Sequence, residues 1–100
     1  MSEEEEMKDV IAEIRADRKR HIEELKDRIA EINPEAMLVD GHDDALAGFD
    51  TKGRAIYLVD HILGTLEQRD GMTEVEAIEW FDHNIECAYM GEYTPLYMYE

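Results

Sequence analysis

The chain has 100 residues, of which 26 are Asp or Glu and 10 are Lys or Arg, so its formal charge is −16. The length fits one domain, and a hydrophobic content of 44% is sufficient for a packed core. So strong a negative charge argues against direct binding to nucleic acid or to an anionic membrane surface, because both need Lys and Arg. No apolar run approaches the roughly 20 residues of a membrane span.

The N-terminal residues and the cysteine count indicate a cellular compartment. Residues 1–6 lack the basic and apolar regions of a signal peptide. The sequence contains one cysteine, Cys87, which excludes an internal disulfide. We therefore expect the protein in a reducing cytoplasm.

The charge is distributed unevenly along the chain. Residues 1–32 carry seven cations against eleven carboxylates, a net charge of −4 with a basic centre at residues 15–20. Residues 33–100 carry three cations against fifteen carboxylates, a net charge of −12. Such a shift in composition indicates a change of structural role near residue 33.

The segment from residue 2 to residue 32 is predicted to form one long helix. It contains neither Gly nor Pro, and its apolar residues recur at steps of three and four. The sequence Asn33-Pro34 should end the helix, because the residue before proline is displaced from the α region. Thirty residues give a length of about 45 Å, whereas the remaining chain should form a body only about 28 Å across. The helix is therefore expected to extend beyond the body.

An apolar stripe that leaves the body needs another surface to cover it. A second copy of the same helix, in parallel or antiparallel orientation, is the first candidate. We therefore divide the chain into an oligomerisation helix, residues 1–33, and a compact acidic body, residues 34–100. The expected seam of a homodimer consists of Ile11, Ile14, Arg18, Ile22, Leu25, Ile29 and Ile32. The alternative is a helix that wraps around its own domain.

The first part of the body is predicted to contain a β-hairpin and a short helix. Residues 36–39 form a short apolar run before a turn. Residues 45–49 and 54–59 flank the turn sequence Asp50-Thr51-Lys52-Gly53, which is typical of a hairpin. Asp60 is a suitable N-cap for a helix that reaches about residue 69.

The second part of the body begins with the sequence of a capping box, Thr73-Glu74-Val75-Glu76. Its helix carries an apolar arc so wide that packing on two surfaces is indicated. The arc consists of Ile78, Phe81, Ile85 and Ala88, with Ala77, Trp80, Asn84 and Cys87 beside them. Residues 96–99 should form a last strand. The expected fold is α+β, with the long N-terminal helix followed by a small antiparallel sheet of three or four strands with two helices on one face.

Four segments of the body together resemble a family of small acidic proteins encoded in bacteriophage and prophage genomes. The matching segments are V-D-G-H-D-D-A-L-A-G at residues 39–48, A-I-Y-L-V-D at 55–60, R-D-G-M-T with E-A at 69–77, and A-Y-M-G-E-Y-T-P at 88–95. The resemblance covers about residues 36–99. The chain departs from the pattern at His42, where an aromatic residue is usual, and in its long N-terminal helix. The resemblance implies a viral context and the cytoplasm of a host, but no catalytic residues.

Two clusters are candidates for binding. The first, at residues 40–44, has the carboxylate and imidazole groups of a cation site, but it lacks the spacing of a calcium-binding loop. The second is a group of tyrosines near the C-terminus, a residue type favoured at interfaces. The predicted partner-binding residues are Asp40, His42, Asp43, Asp44, Glu92, Tyr97 and Tyr99.

Three functions are compatible with these features. The first is a non-enzymatic viral accessory protein without a cofactor, which binds a basic protein by imitating DNA or inhibits that partner. The second is an assembly adaptor that dimerises through its N-terminal helix. The third is a small metal-binding protein, for which the sequence offers no established ligand spacing. We expect no catalytic residues, because no nucleophile or phosphate-loop motif is present.

Overall fold

A computed structural model describes residues 3–86 and 91–100 of the chain. Helix α1, Glu3–Ile32, is followed by a 3-10 turn, Asp43–Ala45, and by strands β1, Leu46–Phe49, and β2, Ala55–Leu58. Helices α2, Val59–Gln68, and α3, Glu74–Phe81, come next. A π-helical turn, Asp82–Glu86, and strand β3, Leu96–Met98, complete the described elements, so the predicted α+β class is confirmed.

Helix α1 ends where Asn33-Pro34 was predicted to end it, and it extends beyond the body. The described chain is 53 Å in its longest dimension. Its radius of gyration is 15.7 Å, whereas a compact chain of 100 residues has about 13 Å. The first half of α1 accounts for the difference, because residues 6–17 are exposed throughout.

The second half of α1 belongs to the same core as the body. Ile22, Leu25 and Ile29 are buried in one cluster with Leu46 and Tyr57 of the sheet. The Arg28 guanidinium adds a contact, since it lies 5.2 Å from the centre of the Phe49 ring. The change of element at residue 33 is therefore not a boundary between two separate cores.

The predicted hairpin is confirmed and is held by Asp50. The backbone N–H of Asp50 donates to the Arg54 carbonyl at 3.0 Å, and the Asp50 carboxylate accepts from the Lys52 and Arg54 amides. The Arg54 guanidinium donates to the other carboxylate oxygen at 2.6 Å. Burial raises the pKa of Asp50, but these bonds outweigh it and hold the pKa below its ordinary value.

The sheet is mixed, so the prediction of a fully antiparallel sheet is wrong. Strand β2 lies in the centre, with β1 antiparallel to it and β3 parallel, and Tyr57 is opposite Tyr97. Two helices separate β2 from β3, and a helical crossover returns the chain to the end of the sheet from which β2 started. Among the described residues the sheet has three strands, and residues 36–39 form none of them.

The two body helices begin near their predicted positions. Helix α2 starts at Val59, one residue before the predicted cap, so Asp60 lies in its first turn. At this position the negative charge of Asp60 interacts favourably with the positive end of the helix dipole. Helix α3 begins with the predicted capping box: the Glu76 amide donates to Thr73 Oγ1 and the Thr73 amide donates to Glu76 Oε1, both at 3.2 Å. In the structure α3 ends at Phe81 and the π-helical turn follows it. Cys87 and Ala88, which were predicted to continue this helix, lie outside the described residues.

Candidate protein-binding surfaces

One face of α3 packs against the core. Ala77 and Phe81 are buried, together with Ile85 of the following turn. Phe81 packs edge-on against Tyr97, with ring centres 5.4 Å apart. The orientation of α3 about its axis follows from these contacts.

The rest of the circumference of α3 is exposed, including Ile78, which the sequence predicted to share the face of Phe81. Val75 is 64% exposed, Trp80 46% and Ile78 41%. The wide apolar arc predicted packing on two surfaces. Within the described residues only the face of Ala77 and Phe81 is packed. We call the exposed side the α3 surface, and it consists of Glu74, Val75, Glu76, Ile78, Glu79 and Trp80.

The α3 surface is strongly acidic. Residues 70–100 contain eight carboxylates and neither Lys nor Arg. Within the described part of the chain, no ion pair involves Glu74, Glu76 or Glu79. These carboxylates alternate with three large apolar side chains, a combination suited to a partner that is basic and apolar at once.

The predicted cluster at residues 40–44 is tied to its own chain by three cations. Lys26 Nζ is 2.6 Å from the Asp43 carboxylate, and this hydrogen bond raises the pKa of Lys26. The Arg18 guanidinium donates to the Asp44 carbonyl at 2.7 Å. The Arg69 guanidinium donates to the Gly41 carbonyl at 2.7 Å. The loop thereby joins α1 and the end of α2.

His42 lies inside the protein and offers little surface to a partner. It is 5% exposed, and its Nδ1 has no hydrogen-bond partner within the described residues. Burial lowers the pKa of His42, and the positive charge of Arg69 lowers it further against the opposing effect of Asp70. His42 is therefore neutral in the folded protein near pH 7.

The buried His42 should make the protein sensitive to mild acid. Unfolded His42 binds a proton below about pH 6.5, whereas folded His42 resists protonation, so stability falls as the pH drops through 6.5. Between pH 7 and pH 5 the free energy of unfolding should fall by up to about 2 kcal/mol. Asp50 and Asp70 do not contribute there, because their pKa values lie below the ordinary carboxyl range. Urea unfolding at both pH values measures the loss.

A His42→Phe variant provides the control, since it keeps a ring at this position and removes the titration. Its free energy of unfolding should depend much less on pH between 7 and 5. An equally steep dependence in the variant would show that another group causes the loss.

The other predicted partner-binding residues lie in different environments. Asp40, Glu92 and Tyr99 are exposed. Tyr97 is half-buried between Phe81 and Tyr57, and burial raises its pKa. Tyr89 and Met90 of the same C-terminal cluster lie outside the described residues. Partner binding by these side chains stays a prediction.

The predicted seam of α1 divides into two halves. Ile22, Leu25 and Ile29 pack in the core. Ile11 and Ile14 are exposed, and Ile32 is exposed at the other end. Met7 and Val10, which were not part of the predicted seam, are exposed next to Ile11 and Ile14. Arg18 lies between the halves, and its bond to Asp44 gives this polar residue a structural role within the stripe.

The described residues contain no group of three or more His, Cys, Asp or Glu side chains that is arranged to hold a metal ion. Across residues 3–86 and 91–100, no helix combines the length and the apolar character that crossing a membrane requires.

The chain matches no protein-family model, and no similar protein was found among curated sequences or among solved structures.

Proposed function

We propose that this chain is a virus-encoded accessory protein that acts in the host cytoplasm by binding a basic protein, without catalysing a reaction. The α3 surface carries this proposal, because its carboxylates form no ion pair within residues 3–86 and 91–100 and lie beside exposed Val75, Ile78 and Trp80. The viral context rests on the resemblance of residues 36–99 to bacteriophage proteins.

The chemistry of the α3 surface defines the kind of partner. Carboxylates spaced along a helix attract Lys and Arg, and they accelerate encounter through long-range attraction. Trp80 supplies an apolar anchor of the type that dominates binding energy at protein interfaces. A protein whose basic groove normally holds nucleic acid offers cations to these carboxylates and an apolar contact to Trp80. Occupation of that groove would inhibit the protein.

Capture from infected host lysate tests the proposal when it compares two variants with the same change in charge. Glu74→Gln with Glu79→Gln removes two carboxylates from the α3 surface. Glu13→Gln with Glu24→Gln removes two exposed carboxylates from α1. A protein retained by the parent chain and by the α1 variant, but lost by the α3 variant, is the expected partner. Equal retention by both variants would contradict the proposal.

The captured protein then allows two quantitative measurements. Trp80→Ala should weaken binding about tenfold or more, as expected for an aromatic anchor. Affinity should also fall steeply between about 0.05 and 0.5 M salt, because exposed charges are screened beyond about 8–10 Å at physiological ionic strength. Binding that is insensitive to salt would rule out the electrostatic mechanism.

A second function, as an assembly adaptor that dimerises through its N-terminal helix, is favoured by a separate observation. Met7, Val10, Ile11 and Ile14 expose a continuous apolar stripe on the half of α1 that projects from the body. Loss of these side chains should abolish self-association but leave binding at the α3 surface unchanged, so the two functions can be distinguished.

A further inference from the structure

We infer that two copies of this chain pair in antiparallel orientation through the first half of α1, with the N-terminal turn of each helix in a groove of the other copy. This inference specifies the partner and the orientation of the self-association proposed above. It does not depend on binding at the α3 surface.

The exposed stripe shows where the contact lies. Met7 is 61% exposed and Ile14 62%, although both lie on the helix face that carries Ile22 into the core. The spacing from Met7 through Ile11, Ile14 and Arg18 follows steps of four, three and four, which is the repeat of a coiled-coil seam. A second helix laid on this face would continue the packing that the body supplies to the second half of α1.

The charges of α1 select the orientation of the second helix. Residues 3–13 contain six carboxylates and one cation, whereas residues 15–20 contain four cations and one carboxylate. Parallel pairing would place each block against its own copy, which is repulsive. Antiparallel pairing centred between residues 12 and 13 places residues 3–9 opposite residues 16–22, so that acidic and basic blocks meet.

A groove between α1 and the 3-10 turn fits the end of the partner helix. Ile14 and Ile22 provide its apolar lining. Three cations, Arg15, Arg18 and Lys19, and three carboxylates, Glu23, Asp43 and Asp44, also line it. In the antiparallel alignment this groove faces the acidic first turns of the partner and the position of its Met7. The apolar lining therefore suits Met7 of the incoming helix, and the three cations of the groove suit its acidic residues.

One of the three carboxylates that line the groove is neutralised by a cation of the same chain. Asp43 is paired with Lys26, and the Asp44 carbonyl accepts the Arg18 hydrogen bond that fixes this side of the groove. The overlap of residues 3–22 in both copies spans about 30 Å. The two bodies then lie at opposite ends of the helix pair, and each presents its own α3 surface.

Charge reversal distinguishes the antiparallel pair from a parallel one. The test uses full-length chains with Glu5→Lys and Glu6→Lys, with Lys19→Glu and Arg20→Glu, or with all four substitutions. Dimer dissociation constants are measured by sedimentation equilibrium at low salt. Each double variant should weaken the dimer at least tenfold, and the quadruple variant should return to within about threefold of the parent chain, because opposite charges meet again.

Three results would overturn the inference. The parent chain could stay monomeric at millimolar concentration. The double variants could show unchanged or tighter affinity, since in a parallel pair each reversal lowers the net charge of a block that faces its own copy. The quadruple variant could be as weak as the doubles. Circular dichroism of each variant verifies that α1 remains helical. Ile14→Ser, on the seam, should also weaken the dimer at least tenfold. Ala16→Ser, on the opposite side of α1, should leave it unchanged.

Discussion

A chain that begins at residue 33 is expected to lose its cooperative fold, whereas a chain that begins at residue 17 should retain it. The longer truncation removes Ile22, Leu25 and Ile29, which are 2–6% exposed in the core. Full burial of each such side chain contributes about 1.5–3 kcal/mol. The three together contribute about 5–9 kcal/mol, which is comparable to the total stability of a typical domain of about 5–15 kcal/mol.

The shorter truncation is the matched control. It removes only the exposed part of α1 and keeps Arg18, which donates to the Asp44 carbonyl, and Lys26, which pairs with Asp43. Urea unfolding followed by circular dichroism should show a cooperative transition for residues 17–100 and none for residues 33–100. A cooperative transition in the chain that begins at residue 33 would show that the body forms a core without α1.

These truncations also separate the two candidate functions. The chain that begins at residue 17 lacks Met7, Val10, Ile11 and Ile14 but keeps the α3 surface. It should be monomeric and still bind a basic partner. Deletion of the whole helix cannot make this distinction, because loss of partner binding would then follow from unfolding.

Elements governed by neighbouring residues were predictable from the sequence. The end of α1 at Asn33-Pro34, the hairpin around Asp50 and the capping box at Thr73 each depend on contacts within four residues. Their geometry is therefore largely determined before distant parts of the chain meet.

Features that depend on distant contacts were not predictable in the same way. The parallel direction of β3 follows from the path of two helices. His42 is buried beside Arg69, a contact across 27 positions that the acidic surroundings of His42 do not indicate. The exposure of Ile78 and Trp80 depends on which side of α3 meets Tyr97. A repeat of apolar residues indicates faces of a helix, but it does not distinguish the face that packs from one that is left open.

Replacement of Gly53 by Ala should be among the most damaging single changes in the body. Gly53 has a φ of +79°, and a Cβ at this position would lie 2.7 Å from Asn33 Cβ and 3.0 Å from Ile32 Cγ2. The hairpin turn thus lies directly against the end of α1, and Asn33 is itself buried. The left-handed conformation costs about 1–2 kcal/mol, and overpacking adds about 1–3 kcal/mol.

Gly64→Ala is the matched control, because an added Cβ there meets no atom within 4 Å and the residue lies inside α2. This substitution should stabilise the protein by about 0.5–1 kcal/mol, since Ala favours a helix interior over Gly. Thermal unfolding should therefore show Gly53→Ala lowering Tm by more than about 8 °C, while Gly64→Ala raises it. Equal Tm values for the two variants would mean that the turn does not pack on α1.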